Sequence, residues 1–198
     1  QGVLALEVVQ DALASGTVVL HPSSTTYFMV HQLTGRDPLE FQPVWVCGVI
    51  APRGLCADAN SWERVLSEKA HLGPGRFQFS WVFEKGELQP QRALEEILAD
   101  LGPDDVYIKG VNAIDPDGRA GVLKGSMAEG TIGKVIAAGR RNGFLTVLPA
   151  GLEKLIPVPI DFAAKACGPT NTLDYGMGMG CSLVPVQGML VTEIDAAD

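Results

Sequence analysis

Residues 17–33, Thr17-Val-Val-Leu-His-Pro-Ser-Ser-Thr-Thr-Tyr-Phe-Met-Val-His-Gln-Leu33, constrain the fold of this chain more than any other stretch. Thr17 to Leu20 is a short β-branched and aliphatic run, the composition of a buried strand. His21-Pro22 stops it, because proline cannot donate to a sheet ladder. The hydroxyl residues Ser23, Ser24, Thr25 and Thr26 follow, and after them Phe28, Val30 and Leu33 can face a sheet from a helix. A strand that turns through hydroxyls into a helix leaves free backbone N–H groups at the helix start. Those groups, the hydroxyls and the helix dipole suit a phosphate or carboxylate. Ser and Thr are also preferred N-cap residues, and the segment taken alone favours a plain cap over an anion site.

Around this unit the chain alternates. Val3 to Ala14 carries an amphipathic helical stripe through Leu4, Val8 and Ala12, ending at Ser15-Gly16. Val44–Ile50 reads as a second buried strand, residues 61–70 as a helix capped by Ser61, and Phe77–Phe83 as an aromatic strand. A helix over Pro90–Leu101 stops at Gly102-Pro103. Residues 104–109 form a short strand, Gly110–Gly118 a turn-rich loop, and Ala120–Lys124 a brief extended piece. Gly125–Gly133 is a second loop opening onto a helix over Lys134–Arg141, and Phe144–Leu148 is another buried strand. This order predicts an α/β fold, a mostly parallel three-layer α/β/α sheet. Residues 1–154 form the ligand-binding domain. Residues 155–198 form a small C-terminal lobe or lid, with a helix over Asp161–Ala166, a glycine-rich stretch at Gly168–Gly180, and strands at Cys181–Val186 and Gly188–Ile194.

The length of 198 residues fits one domain, or one domain and a small appendage. Hydrophobic content of 46% against 19% charged marks a globular chain. No apolar run reaches the roughly 18 residues of a membrane span. A net charge of −8 disfavours nucleic-acid binding by this domain alone, although it permits one small anion held locally. Cys47, Cys56, Cys167 and Cys181 show no C-x-x-C spacing, so we expect reduced, structural thiols, no metal and a cytoplasmic location. The chain opens on Gln1, which leaves room for a removed leader or an upstream domain.

Ligands of open α/β sheets bind beyond the carboxyl ends of the strands. Three loops fall there: Ser23–Thr26, Gly110–Asp115 and Gly125–Gly133. The candidate ligand-binding residues are Ser23, Ser24, Thr25, Thr26, Lys109, Gly110, Asn112, Gly130 and Thr131. Lys109 and Lys124 can neutralise a phosphate or polarise a carbonyl. Asp115 and Glu129 are candidate bases or nucleophiles, with Lys109 or Lys124 as electrostatic partner. Asp before Pro116 also favours a turn, and Glu129 also suits a helix N-terminus.

The Ser24-Thr25-Thr26 turn between strand and helix resembles the opening of the sugar-phosphate isomerase and CoA-transferase superfamily, which includes ribose-phosphate isomerase and the sugar-phosphate sensor domains of bacterial repressors. Lys109-Gly-Val-Asn-Ala-Ile-Asp-Pro116, with Lys124-Gly125 after it, is similar to the isomerase segment Asp-Gly-Ala-Asp-Glu-Val-Asp-Pro followed by Lys-Gly. Val147-Leu-Pro-Ala-Gly-Leu-Glu-Lys154 resembles the strand-plus-lysine segment of the sensor domains. The adjacent acidic pair of the isomerase segment falls on Asn112 and Ala113, neither of which can take a proton, while Asp115-Pro116 retains the Asp-Pro pair.

The resemblance implies a divergent member that binds an anionic, phosphorylated metabolite without a further cofactor. An isomerase or CoA-transferase-type enzyme using Asp115 or Glu129 is the first alternative. The second is a structural or interaction subunit whose Gly-Met tail makes contacts. A homo-oligomer is compatible with either.

Overall fold

The computed structural model describes residues 1–41, 80–90, 92–125, 130–168 and 180–196. The expected strand Val44–Ile50, the helix capped by Ser61, Cys47, Cys56, Glu129, and Met177 and Met179 of the Gly-Met tail lie outside the described residues.

The N-terminal helical stripe forms in two pieces, α1 (Gly2–Ala5) and α2 (Glu7–Ser15), because Leu6 between them is extended at φ −60° and ψ 132°. β1 (Thr17–Leu20) follows, then α3 (Ser24–Thr34), which ends on Gly35 in the left-handed region that glycine adopts without steric cost. A short α4 (Pro38–Phe41) closes the first described segment. The aromatic run enters β2 (Trp81–Glu84) and turns straight back into β3 (Glu87–Leu88). Lys85 and Gly86 both have positive φ, as a two-residue type I′ hairpin turn requires.

The expected helix before Gly102 is α5 (Leu94–Asp100), and the next strand is β4 (Val106–Ile108). β5 (Ala113–Ile114) and β6 (Ala120–Lys124) make a second hairpin. The helix expected from Lys134 begins earlier, as α6 (Gly130–Asn142), so Gly130 and Thr131 stand in its first turn. β7 (Leu145–Pro149), a 3₁₀ turn at Leu152–Lys154, α7 (Ile160–Ala166), β8 (Ser182–Val186) and β9 (Met189–Val191) complete the order.

The main sheet has six strands in the order β3-β2-β1-β4-β7-β9. The pairs β1–β4, β4–β7 and β7–β9 are parallel, and only the β2–β3 hairpin at one edge is antiparallel to its neighbours. This is the mostly parallel α/β sheet expected from the sequence. A smaller antiparallel sheet runs β5-β6-β8. Residues on both sides of position 154 contribute to both sheets, since β8 pairs with β6 and β9 with β7.

Strand alternation sorts the core into two faces. Val18, Leu20, Val106, Ile108 and Val147 point to the side of α1, α2 and α3, where Val9, Met29 and Val30 meet them. Val19, Val82 and Tyr107 point to the other side, onto Leu94, Ile97 and Leu98 of α5 and Val135 and Ala138 of α6. Each such aliphatic side chain contributes about 1.5–3 kcal/mol by leaving water. A third cluster, through Val111, Ile132, Leu148 and Ala150, packs the start of α6 against the exits of β4 and β7. Gly188 must be glycine for a different reason: a Cβ there would sit 2.4 Å from the Thr146 carbonyl oxygen and push β9 off β7.

Candidate functional site

The carboxyl ends of β1, β4 and β7 lie along one edge of the sheet. The ladder continues one residue past each strand, with His21 N–H donating to Ile108 O, Lys109 N–H to Val147 O and Ala150 N–H to Val191 O. His21 stands two residues after Val19 and Lys109 two after Tyr107, so alternation carries both side chains to the α5–α6 face. Ser80, at the start of β2, is on the same edge because that strand runs antiparallel.

Four polar groups collect there. His21 Nδ1 is 3.0 Å from the Tyr107 hydroxyl, and Ser80 Oγ is 3.5 Å from the same oxygen. Burial pushes the His21 imidazole down to about 3, with the Lys109 ammonium adding to the effect, so the ring is neutral. Burial likewise raises the Tyr107 phenol, against the smaller opposing pull of Ser80. Lys109 is 9% exposed, and burial alone lowers its amine to about 8. Among the described residues, its ammonium has no hydrogen bond and no ion pair. That contrasts with Lys134 on Glu95, Arg119 on Asp161 at 2.8 Å, and Arg92 on Asp100.

Beside this cluster the hydroxyl turn is built as a cap. Ser23 accepts from the Thr26 amide at 3.1 Å, and Thr26 Oγ1 accepts from the Ser23 amide at 2.8 Å, a reciprocal box. Thr26 is fully buried and donates its hydroxyl proton to the His21 carbonyl at 2.6 Å. These two hydroxyls thus hold the turn itself. Ser24 and Thr25 remain exposed, and their backbone N–H groups carry no hydrogen bond among the described residues. They line an open hollow of about 720 Å³ with Phe28, Gln32 and Gly35. Gly110 joins the turn to the β4 exit: a Cβ there would lie 3.8 Å from Ser23 Oγ and 4.0 Å from Pro149 O.

The middle-loop candidates sit in the β5–β6 hairpin. Asn112 accepts the Leu123 amide through Oδ1 at 2.9 Å and donates its own amide to Gly121 O, so it is bound to the small sheet. Asp115 is 2% exposed. Its Oδ1 accepts the amides of Asp117 and Arg119, and its Oδ2 accepts the amide of Ile160 at the start of α7. Burial pushes this carboxyl up, yet the three amides and the Arg119 charge outweigh it and hold the group below its ordinary value. The geometry around Asp115 is that of a loop clamp joining the hairpin to α7. Lys124 is the last residue of β6, half-buried and in register with Ser182. Gly130 and Thr131 are half-buried in the first turn of α6. Neither Lys109 nor Asn112 lines the hollow at Ser24 and Thr25, and none of these candidates lines the groove of about 660 Å³ between α6, β7 and the β8–β9 segment.

Sequence reasoning did not single out His21, Tyr107 or Ser80. The signal available was parity, since His21 and Tyr107 are polar residues two positions from Val19 and Lys109 in strands that are otherwise apolar. Among the described residues no group of three or more His, Cys, Asp and Glu side chains is arranged to hold a metal ion, and no helix is long and apolar enough to cross a membrane. Compared with known proteins, the chain matches no family model, and no curated protein is significantly similar to it.

Proposed function

We propose that the carboxyl edge of the sheet binds a small anionic metabolite, of the phosphorylated type that the superfamily resemblance implies. The observation that carries this reading is Lys109, a cation 9% exposed and without a counter-charge among the described residues. An uncompensated buried charge is costly, and an arriving anion removes that cost. The exposed N–H groups of Ser24 and Thr25, at the positive end of the α3 dipole, lie on the adjoining turn and also favour negative charge. We infer further that the chain works in a reducing cytoplasm, a reading supported by Cys167, whose exposed thiol is in no disulfide among the described residues.

A thermal-shift screen with inorganic phosphate and phosphorylated sugars tests the reading. A ligand at 100 times its dissociation constant stabilises the fold by about 2.7 kcal/mol, and that gain should shrink in Lys109→Met. Absence of any shift with phosphorylated compounds, or a shift that survives Lys109→Met intact, would overturn it.

A further inference from the structure

The groove between α6, β7 and the β8–β9 segment shares no residue with the cluster at the carboxyl edge, and its two ends differ in chemistry. At about 660 Å³ it has the size of a small-molecule pocket. One end is apolar: Leu148 of β7 pairs with Leu190 of β9, and Ile132 and Ile136 of α6 pack with them. Ile136 and Leu190 stay half-buried, so part of this hydrocarbon faces water. The other end is cationic. Ala120 pairs with Val186, which brings Arg119 and Gln187 to the same end of that ladder, and Gly188 then lies against the Thr146 carbonyl at the start of β7. α6 delivers Arg140 to this end as well, because the chain turns at Gly143 from the helix directly into β7.

The chain carries a net charge of −8, yet the charged residues that line the groove are Arg119 and Arg140, with no carboxylate among its described lining. Arg119 is shared with Asp161 at 2.8 Å, whereas the Arg140 guanidinium has no hydrogen bond or ion pair among the described residues. Gly139 keeps the wall beside Arg140 low. Glycine is a poor helix residue, and packing does not require it here: a Cβ would meet the Phe144 ring at 3.5 Å, an ordinary contact. We propose that the groove binds a carboxylate with an unbranched hydrocarbon tail, the carboxylate on Arg140 and on the Arg119 donors that Asp161 does not take, the tail along Ile136, Leu148 and Leu190. The planar guanidinium fork matches a carboxylate with two parallel hydrogen bonds. From Ile132 to Arg140 the helix rises roughly 12 Å, the length of a tail of about eight to ten carbons. Inorganic phosphate gains nothing from the apolar end, and a neutral alcohol gains nothing from the arginines. The site is independent of the anion site at the carboxyl edge.

The test is a titration of octanoate into the whole chain, followed through the isoleucine and leucine methyl resonances, with octanol and inorganic phosphate as comparison probes. The expected result is a saturable shift at Ile136 and Leu190 with octanoate, an affinity for octanol at least tenfold weaker, and no movement of these methyls with phosphate. Arg140→Met keeps the hydrocarbon stem and removes the charge, so it should weaken octanoate at least tenfold and leave octanol unchanged. Gly139→Leu should fill the groove and abolish both. If either variant fails to fold, the comparison of octanoate with octanol on the parent chain reads the charge directly. Equal affinity for octanoate and octanol, indifference to Arg140→Met, or shifts spread over the surface without saturation overturns the site. Lys109→Met should leave octanoate binding intact. Binding lost in that variant, with the Ile136 and Leu190 methyls unmoved in the parent, would place the carboxylate at the sheet edge and overturn the groove.

Discussion

His21 Nδ1 lies 3.0 Å from the Tyr107 hydroxyl, linking the residue just past β1 to the centre of β4. Because α5 and α6 cover this face, Tyr107 is fully buried and His21 half-buried, and a proton added to the imidazole would stand beside the Lys109 ammonium. The neutral ring is therefore part of the folded state.

Acid should destabilise the fold through this residue. The imidazole sits at about 3 when folded and near 6.5 when unfolded, so between those values the unfolded chain binds more protons. Stability then falls as pH drops through that window, by at most about 1.4 kcal/mol per pH unit. In carbon-labelled protein, the His21 ring resonance should keep its neutral shift at pH 5. A ring half-protonated near pH 6 would contradict the buried pairing.

Lys109 predicts the opposite end of the pH scale. Its amine sits at about 8 when folded against 10.5 when unfolded, so the unfolded chain binds more protons between these values and stability rises with pH across them. His21, Tyr107 and Ser80 share this edge, and none of them supplies a negative charge at neutral pH. Lys109→Met keeps the hydrocarbon stem and removes the charge. Urea denaturation at pH 7 should show it more stable by about 1–3 kcal/mol, with the alkaline rise flattened. A loss of stability would mean that the amine is held by a partner.

The fold was legible from the sequence because its information is local. Val18 to Leu20 and Val106 to Ile108 are short apolar runs, and the Ser23–Thr26 turn announces both the strand end and the helix start. The β2–β3 hairpin was not expected, since Lys85 takes a positive φ that no residue preference signals. The division of labour among the hydroxyls was equally illegible: which of Ser23, Ser24, Thr25 and Thr26 is consumed depends on the His21 carbonyl that Thr26 meets. Likewise Asp115 reads as a base or a turn residue until Ile160, far along the chain, is seen to donate to it. Such roles are set by long-range contacts, which spacing cannot encode.

Asp115→Asn separates a clamp from a base. In the folded chain the carboxylate accepts three backbone amides, one of them from Ile160, whose side chain is fully buried. An amide can accept at only one of its two ends, so Asn turns an NH₂ toward at least one N–H donor, and charge-assisted bonds become neutral. The expected cost is about 1–3 kcal/mol, read as a lower urea midpoint with unchanged slope. The same carboxyl is held below its ordinary value when folded, so its contribution is present above the ordinary carboxylate range and is lost as pH falls through the folded value. The variant should thus lose most at neutral pH and converge on the parent in acid. Phosphate-induced stabilisation should be the same size in both proteins, since Asp115 serves the β5–β6 hairpin and α7. A variant that keeps its stability but loses the response to ligand would move Asp115 from the scaffold into the site.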